Sequence, residues 1–180
     1  METAMIKAIL GIIAVVVVAI VGMAASKPDN FVITRSAVIN ATATNIFPHI
    51  NNLRLWDAWS PWAKMDPQSK VTFTGPEAGV GASMKWESQK DELGIGTMTI
   101  TESIGGEKIV MKLDFEKPMA ANNISEFTFK PSGMGTEVTW SLKGKADFMG
   151  KIMDVIFNCD KMVGDMYEKG FASLKAVVEK

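Results

Sequence analysis

The sequence predicts an α+β domain: an antiparallel sheet of about seven strands, covered on one face by a long C-terminal helix and preceded by a transmembrane helix. Three observations carry that expectation. Residues Ala8 to Ala25 run for eighteen positions without a charge. From Val71 to Leu142 apolar and polar residues alternate with a period of two. After Gly144 the spacing of apolar residues lengthens to three or four and stays so to Val177.

The elements follow in order. At about 1.5 Å per residue the uncharged run spans roughly 27 Å as a helix, close to the thickness of a bilayer's hydrocarbon. It is longer than the usual apolar region of a signal peptide, so it reads as an uncleaved anchor. Lys7 before it and Gly22-Met23-Ala24 at its end keep a cleaved signal peptide as the alternative. Lys7 lies on one side of the run and Lys27 and Arg35 on the other, so charge leaves the membrane side undecided. A short N-terminal tail that stays inside would put the domain outside the cytoplasm. Ser26 to Asn30, with Pro28, is a polar linker, which divides the chain into an anchor and linker (1–30) and a folded domain (31–180).

Phe31 to Ile39 is rich in β-branched residues and predicts a strand. Thr42 or Thr44 caps a short helix toward Asn51, and the tryptophan-rich stretch "LWDAWSPW" predicts a second one, closed at Ser60-Pro61. Six strands then alternate in period two, separated by turns at Gly75-Pro76, Gly94, Gly105-Gly106, Pro118 to Asn123 and Pro131 to Gly135. Asp147 is placed to cap the long final helix, which Asn158 to Asp160 or Gly164 would kink. "GVGAS" at Gly79 to Ser83 lacks the GK[ST] ending of a phosphate loop and reads as a turn before a strand.

Composition excludes several functions. The formal charge is −1, and the only arginines are Arg35 and Arg54, so no basic surface for nucleic acid is expected. His49 and Cys159 are the only histidine and cysteine. A His-based metal site, an intrachain disulfide and a Cys/His nucleophile pair are therefore not expected, and no cofactor is implied. Cys159 falls on the apolar stripe of the last helix, the usual place of an inert core thiol. Asp57 and Tyr167 are the weak candidates for a catalytic acid; Asp57 serves equally well as a partner for Arg54, three residues earlier.

Several stretches together suggest a family: the opening "FVITRSAVINATATNIFPHINNLRLWDAWSPW", then "GPEAGVGASMKWES", "GIGTMTITES", "LDFEKPMAA", "GTEVTWSLKG" and the closing "GFASLK". With the order of one strand, two short helices, six strands and a long helix, the chain from Phe31 onward resembles the START/Bet v 1-like superfamily. That superfamily is also called SRPBCC or polyketide cyclase/dehydrase-like, and the chain looks like a branch with an N-terminal membrane segment. The resemblance implies a helix-grip fold, a curved sheet wrapped around the C-terminal helix. It also implies a deep cavity between them that takes an apolar or amphipathic small molecule. These stretches mark a fold and carry no catalytic signature.

The candidate lining follows from parity. Met84, Trp86, Met98, Met111, Phe115, Phe127, Phe129 and Trp140 point to one side of the sheet, and Asn123 and Ser125 share that side as polar contacts. Met149, Met153, Met162 and Met166 would come from the helix, adaptable side chains suited to varied ligands. Trp56, Trp59 and Trp62, spaced by three, would close the rim of the cavity or, alternatively, form a wedge into a membrane surface. The expected function is a membrane-tethered binding protein for a hydrophobic small molecule of the lipid, quinone or isoprenoid class. The alternatives are a cyclase/dehydrase-type enzyme on the same cavity, or a sensor or assembly factor with a protein partner.

Overall fold

The computed structural model describes residues 2–179. Helix α1 spans Glu2–Ser26. Its stretch Met5–Ser26 is long and apolar enough to cross a membrane, and only 6% of the most apolar window is covered by the rest of the protein. A helix that is apolar on all sides and uncovered has no solvent-facing stripe to offer water.

Strand β1 (Asn30–Ile39) starts four residues after α1 ends. Helix α2 (Ala43–Asn51) and a 3₁₀ helix (Leu53–Ala58) follow, then β2 (Lys70–Thr74), β3 (Ser83–Glu87), β4 (Ile95–Ile104), β5 (Lys108–Lys117), β6 (Ala121–Ser132) and β7 (Gly135–Lys145). All pairings are antiparallel, in the order β1-β7-β6-β5-β4-β3-β2. The two strands that flank the short helices thus sit at opposite edges, and the helices span the sheet between them. Seven strands, two short helices after the first and a helical C-terminus agree with the reading from sequence.

The long C-terminal helix is in fact two. Helix α3 (Phe148–Phe157) starts at Asp147, whose carboxylate accepts from Gly150 N at 2.7 Å. Asn158 breaks the path in the left-handed region, at φ 51°, a conformation asparagine tolerates better than most residues. Its side chain then accepts from Lys161 N at 3.1 Å and caps α4 (Cys159–Val178). Asp154 closes the joint: Oδ1 accepts from Cys159 N at 2.8 Å, and Oδ2 pairs with Lys27 at the end of α1. The Lys27 ammonium holds the Asp154 carboxyl below its ordinary value against the opposing effect of burial.

Because of the break, α3 and α4 present different faces. Helix α3 packs on α1 and buries none of its residues fully. Helix α4 lies on β1 and on the 3₁₀ helix and buries Gly164, Tyr167, Gly170, Phe171 and Leu174. Two glycines let it come that close. A Cβ at Gly164 would lie 2.0 Å from the Arg35 guanidinium, and one at Gly170 would lie 3.0 Å from the Trp140 ring.

Candidate functional site

The register divides the concave face of the sheet into transverse rows, and the apolar side chains of the first two are buried where those of the next two are mostly half-buried. At the covered end, Ile109, Phe127, Trp140 and Arg35 lie abreast on β5, β6, β7 and β1. The next row holds Ile100, Met111, Ser125, Leu142 and Ile33, all buried. The following row crosses the whole sheet as Phe73, Met84, Met98, Leu113, Asn123, Gly144 and Phe31; there only Met98 and Asn123 are buried and the rest are half-buried. Beyond it come Trp86, Gly96 and Phe115, the two rings half-buried and 5.6 Å apart edge to face. Trp86 lies over Gly96, where any Cβ would stand 2.4 Å from its ring, and its N–H donates to Leu93 O at 3.0 Å.

Aromatic packing accounts for the gradient. In a 3₁₀ helix residues three apart eclipse, so Trp56 and Trp59 drop together onto Phe127 and Trp140. Their N–H groups donate to Ile50 O and His49 O, each at 2.9 Å. Both indoles are buried, so neither is available as a membrane wedge. Trp62 is half-buried and meets Trp140 and Tyr167 edge to face. Tyr167, from α4, stacks on Trp140 at 3.8 Å. Phe129 is buried beside Phe47. Under α4 the grip is therefore filled by its own rings. Two open clefts lie elsewhere, one between α2 and the end of α4 at His49 and Val177, the other between α1 and α3 at Met23 and Val155. What remains accessible on the concave face is its open end, at Met84, Trp86, Leu113 and Phe115 with Asn123 on the floor.

Polar chemistry at this place is sparse. Ser125 Oγ accepts from Trp140 Nε1 at 2.9 Å. Burial pushes the Tyr167 phenol well above its ordinary value, and the neighbouring Ser125 hydroxyl offsets a small part of the rise. The phenol is therefore a neutral hydroxyl at any physiological pH. Asn123 is different: its Oδ1 is buried and has no hydrogen-bond partner among the described residues. It stands over Gly144, where a Cβ would come within 2.1 Å of it. A buried acceptor left without a donor costs about 1–3 kcal/mol, so this oxygen favours any donor that reaches it.

The structure brings most of the sequence-derived lining together and separates the rest. Trp56, Trp59, Met98, Met111, Ser125, Phe127, Phe129 and Trp140 lie in the interior, Trp62 sits half-buried against Trp140 and Tyr167 at the covered end, and Met84, Trp86, Phe115 and Asn123 belong to the open end. Met166 is half-buried on α4. Met149 and Met153 are exposed on α3, which the break at Asn158 turns away from the sheet toward α1, and Met162 is exposed on α4, off the face that buries Gly164, Tyr167 and Phe171, so the three do not line the sheet as expected. Asp57 is exposed on the 3₁₀ helix, and Arg54 lies 4.6 Å over the Phe73 ring instead of pairing with it. Cys159 is half-buried; desolvation and the Asp154 carboxylate push its thiol up, which keeps it protonated. Leu113 belongs to the open end and was missed from sequence, although it shares parity with Met111 and Phe115. Among the described residues no three His, Cys, Asp or Glu side chains are grouped to hold a metal ion.

A family model described as polyketide cyclase / dehydrase and lipid transport matches residues 30–179. Among solved structures the chain is similar to protein CV1439 from Chromobacterium violaceum, at 16% identity and a TM-score of 0.59, over 86% of this chain and 99% of that one. It is similar to Aha1 from Colwellia psychrerythraea, solved as a dimer, at 15% identity and 0.56, over 83% and 96%. The di-domain ARO/CYC StfQ from the steffimycin biosynthetic pathway matches at 10% identity and 0.61, over 83% of this chain and 51% of that one. At these identities the likeness is one of fold. No curated protein matches the sequence.

Proposed function

The chain belongs to the polyketide cyclase / dehydrase and lipid transport family, and from that premise we propose that it binds an apolar small molecule carrying one polar hydrogen-bond donor, at the open end of the grip, while α1 tethers it to a membrane. The observation that carries this reading is the burial gradient. Two transverse rows of apolar side chains remain accessible, and the one polar group on their floor, Asn123, lacks a donor. Met84 in these rows adapts to varied shapes at low cost. Lipids, quinols and isoprenoid alcohols all fit an apolar body with one donor at its head. The site holds no activated nucleophile and no paired acid and base, so it supports holding a molecule better than converting one.

The experiment uses full-length protein in detergent. Solvent extraction followed by mass spectrometry should return an apolar compound bound in near-stoichiometric amount. A fluorescent fatty alcohol should bind in titration, and Leu113→Gln should weaken it on the order of tenfold. Asn123→Leu should weaken the alcohol several-fold and leave the matching hydrocarbon unaffected, since only the alcohol can satisfy the amide. Equal affinity of both variants and the native protein for both probes would overturn the site. Chemical change of the bound compound would favour a cyclase or dehydrase instead.

A further inference from the structure

Helix α3 is inside out for a helix in water. At about 100° per residue, Phe148, Met149, Ile152, Met153, Ile156 and Phe157 fall within half of its circumference. All but Ile152 are exposed, Met149 by 53% and Phe157 by 57%. The opposite arc carries Lys151 and Asp154, and these charges are the ones turned toward the protein. Lys151 Nζ pairs with Asp29 at 2.5 Å and is itself largely covered; Asp154 pairs with Lys27. A surface helix shows the reverse, polar residues outward and apolar residues inward.

The neighbour identifies what faces that stripe. Helix α3 packs along the last turns of α1, with Ala24 fully buried and Ile20 half-buried. The two ion pairs clamp it to the residues that leave α1, and Ala146 N donates to Asp29 O at 2.8 Å. The exposed stripe is thus continuous with a helix that is apolar all round. The same end of the molecule holds the β5–β6 turn, where Met119 is exposed, and the open rows of the concave face.

We propose that α3 lies in the lipid–water interface beside α1, with its apolar stripe in the acyl chains, so that the open end of the grip sits on the bilayer. The occupant of the stripe is the membrane itself. The inference rests on α1 being a membrane anchor, and it supplies what the tethered reading lacks: a direct path for an apolar molecule between leaflet and site. It also assigns the interfacial role to α3 and not to Trp56 and Trp59, which are committed to the core.

The test is a depth measurement on the full chain in phosphatidylcholine vesicles. In a Cys159→Ala background, nitroxides are placed singly through Met149→Cys, Met153→Cys and Phe157→Cys. Met134→Cys, at the far end of the sheet, and Val15→Cys, in α1, are the references. Each position is solvent- or lipid-facing, so the labels do not disturb packing. An interfacial helix sits about 5–10 Å into the headgroup and acyl boundary. The α3 labels should therefore show a several-fold higher ratio of oxygen to nickel-chelate accessibility than the Met134 label. If Val15 is lipid-exposed but the α3 labels match Met134, the docking is wrong and the anchor stands. If Val15 also matches Met134, both fall. Labels on α3 shielded from oxygen and chelate alike would mean that protein, not lipid, covers the stripe, and would overturn the proposal.

Discussion

Trp140 stacks on Tyr167 at 3.8 Å and on Phe127 at 4.6 Å, meets Trp56, Trp59, Trp62 and Phe171 at their edges, and gives its N–H to Ser125. Removing it empties the centre of the filled end. Trp140→Ala should cost on the order of 3–5 kcal/mol in urea unfolding, as large aromatic truncations in cores do. Ser125→Ala leaves that N–H buried without an acceptor and should cost about 1–3 kcal/mol. Tyr167 is the only tyrosine in the chain, so tyrosinate absorbance reports one group. Its pKa is raised by burial from 10.0. A raised value means that the folded state holds the proton more tightly, so its stabilising contribution is complete below pH 10 and is lost above it. Tyrosinate should therefore be absent at pH values where a free tyrosine has ionised, and should emerge together with alkaline unfolding. Tyr167→Phe should flatten the alkaline fall in stability; an early, independent tyrosinate signal would contradict the packing.

At the scale of elements, α4 depends on close approach and α3 on its joint. Gly170 touches the rigid, stacked Trp140 ring and Pro61, so an added methyl overpacks a site that cannot yield. Overpacking costs about 1–3 kcal/mol, against a helix gain near 1 kcal/mol, and Gly170→Ala should destabilise on balance. In Gly164→Ala the nearest atoms to the added methyl belong to the movable end of Arg35, whose carboxylate partners Asp160 and Glu168 are exposed. Exposed pairs contribute at most about 1 kcal/mol, so this change should be near neutral. Thermal unfolding of the two variants checks the contrast; equal effects would mean that Trp140 can move aside. The strand pattern was legible in sequence because parity along a half-buried strand is strictly local. The break at Asn158 was legible only as a possible kink. Its consequence depends on Asp154 meeting both Cys159 N and Lys27, residues brought together across the fold.

For the whole molecule, an all-round apolar α1 beside the inverted face of α3 predicts firm membrane association. Full-length protein should stay in the membrane pellet under alkaline carbonate, leave it in detergent, and retain residues 1–25 by intact mass. A mature protein beginning near Ala25 would show instead that the apolar run is a cleaved signal peptide. Gly96→Ala offers a check that joins fold and site. The methyl would collide with Trp86 at 2.4 Å and drive its ring into the open end. Probe binding should fall several-fold with a smaller loss of stability than in Trp140→Ala.

By itself the sequence determined the class of fold, the order of elements, the apolar N-terminal helix and which side of each strand is apolar, because hydropathy period and turn residues act over a few neighbours. The tertiary structure decided how that apolar side is used. Parity placed Trp86, Phe115, Phe127 and Trp140 on one face alike, but only packing covers Phe127 and Trp140 with Trp56, Trp59 and Tyr167 and leaves Trp86 and Phe115 half open. The sequence offered Met149 and Met153, with Met162 and Met166, as the helical lining of the cavity. A single left-handed residue then turned the first two away from the sheet, since a helix's facing depends on the path of the chain before it. The unpartnered oxygen of Asn123 is likewise invisible in the sequence. Whether a buried polar atom finds a donor depends on every element that reaches it.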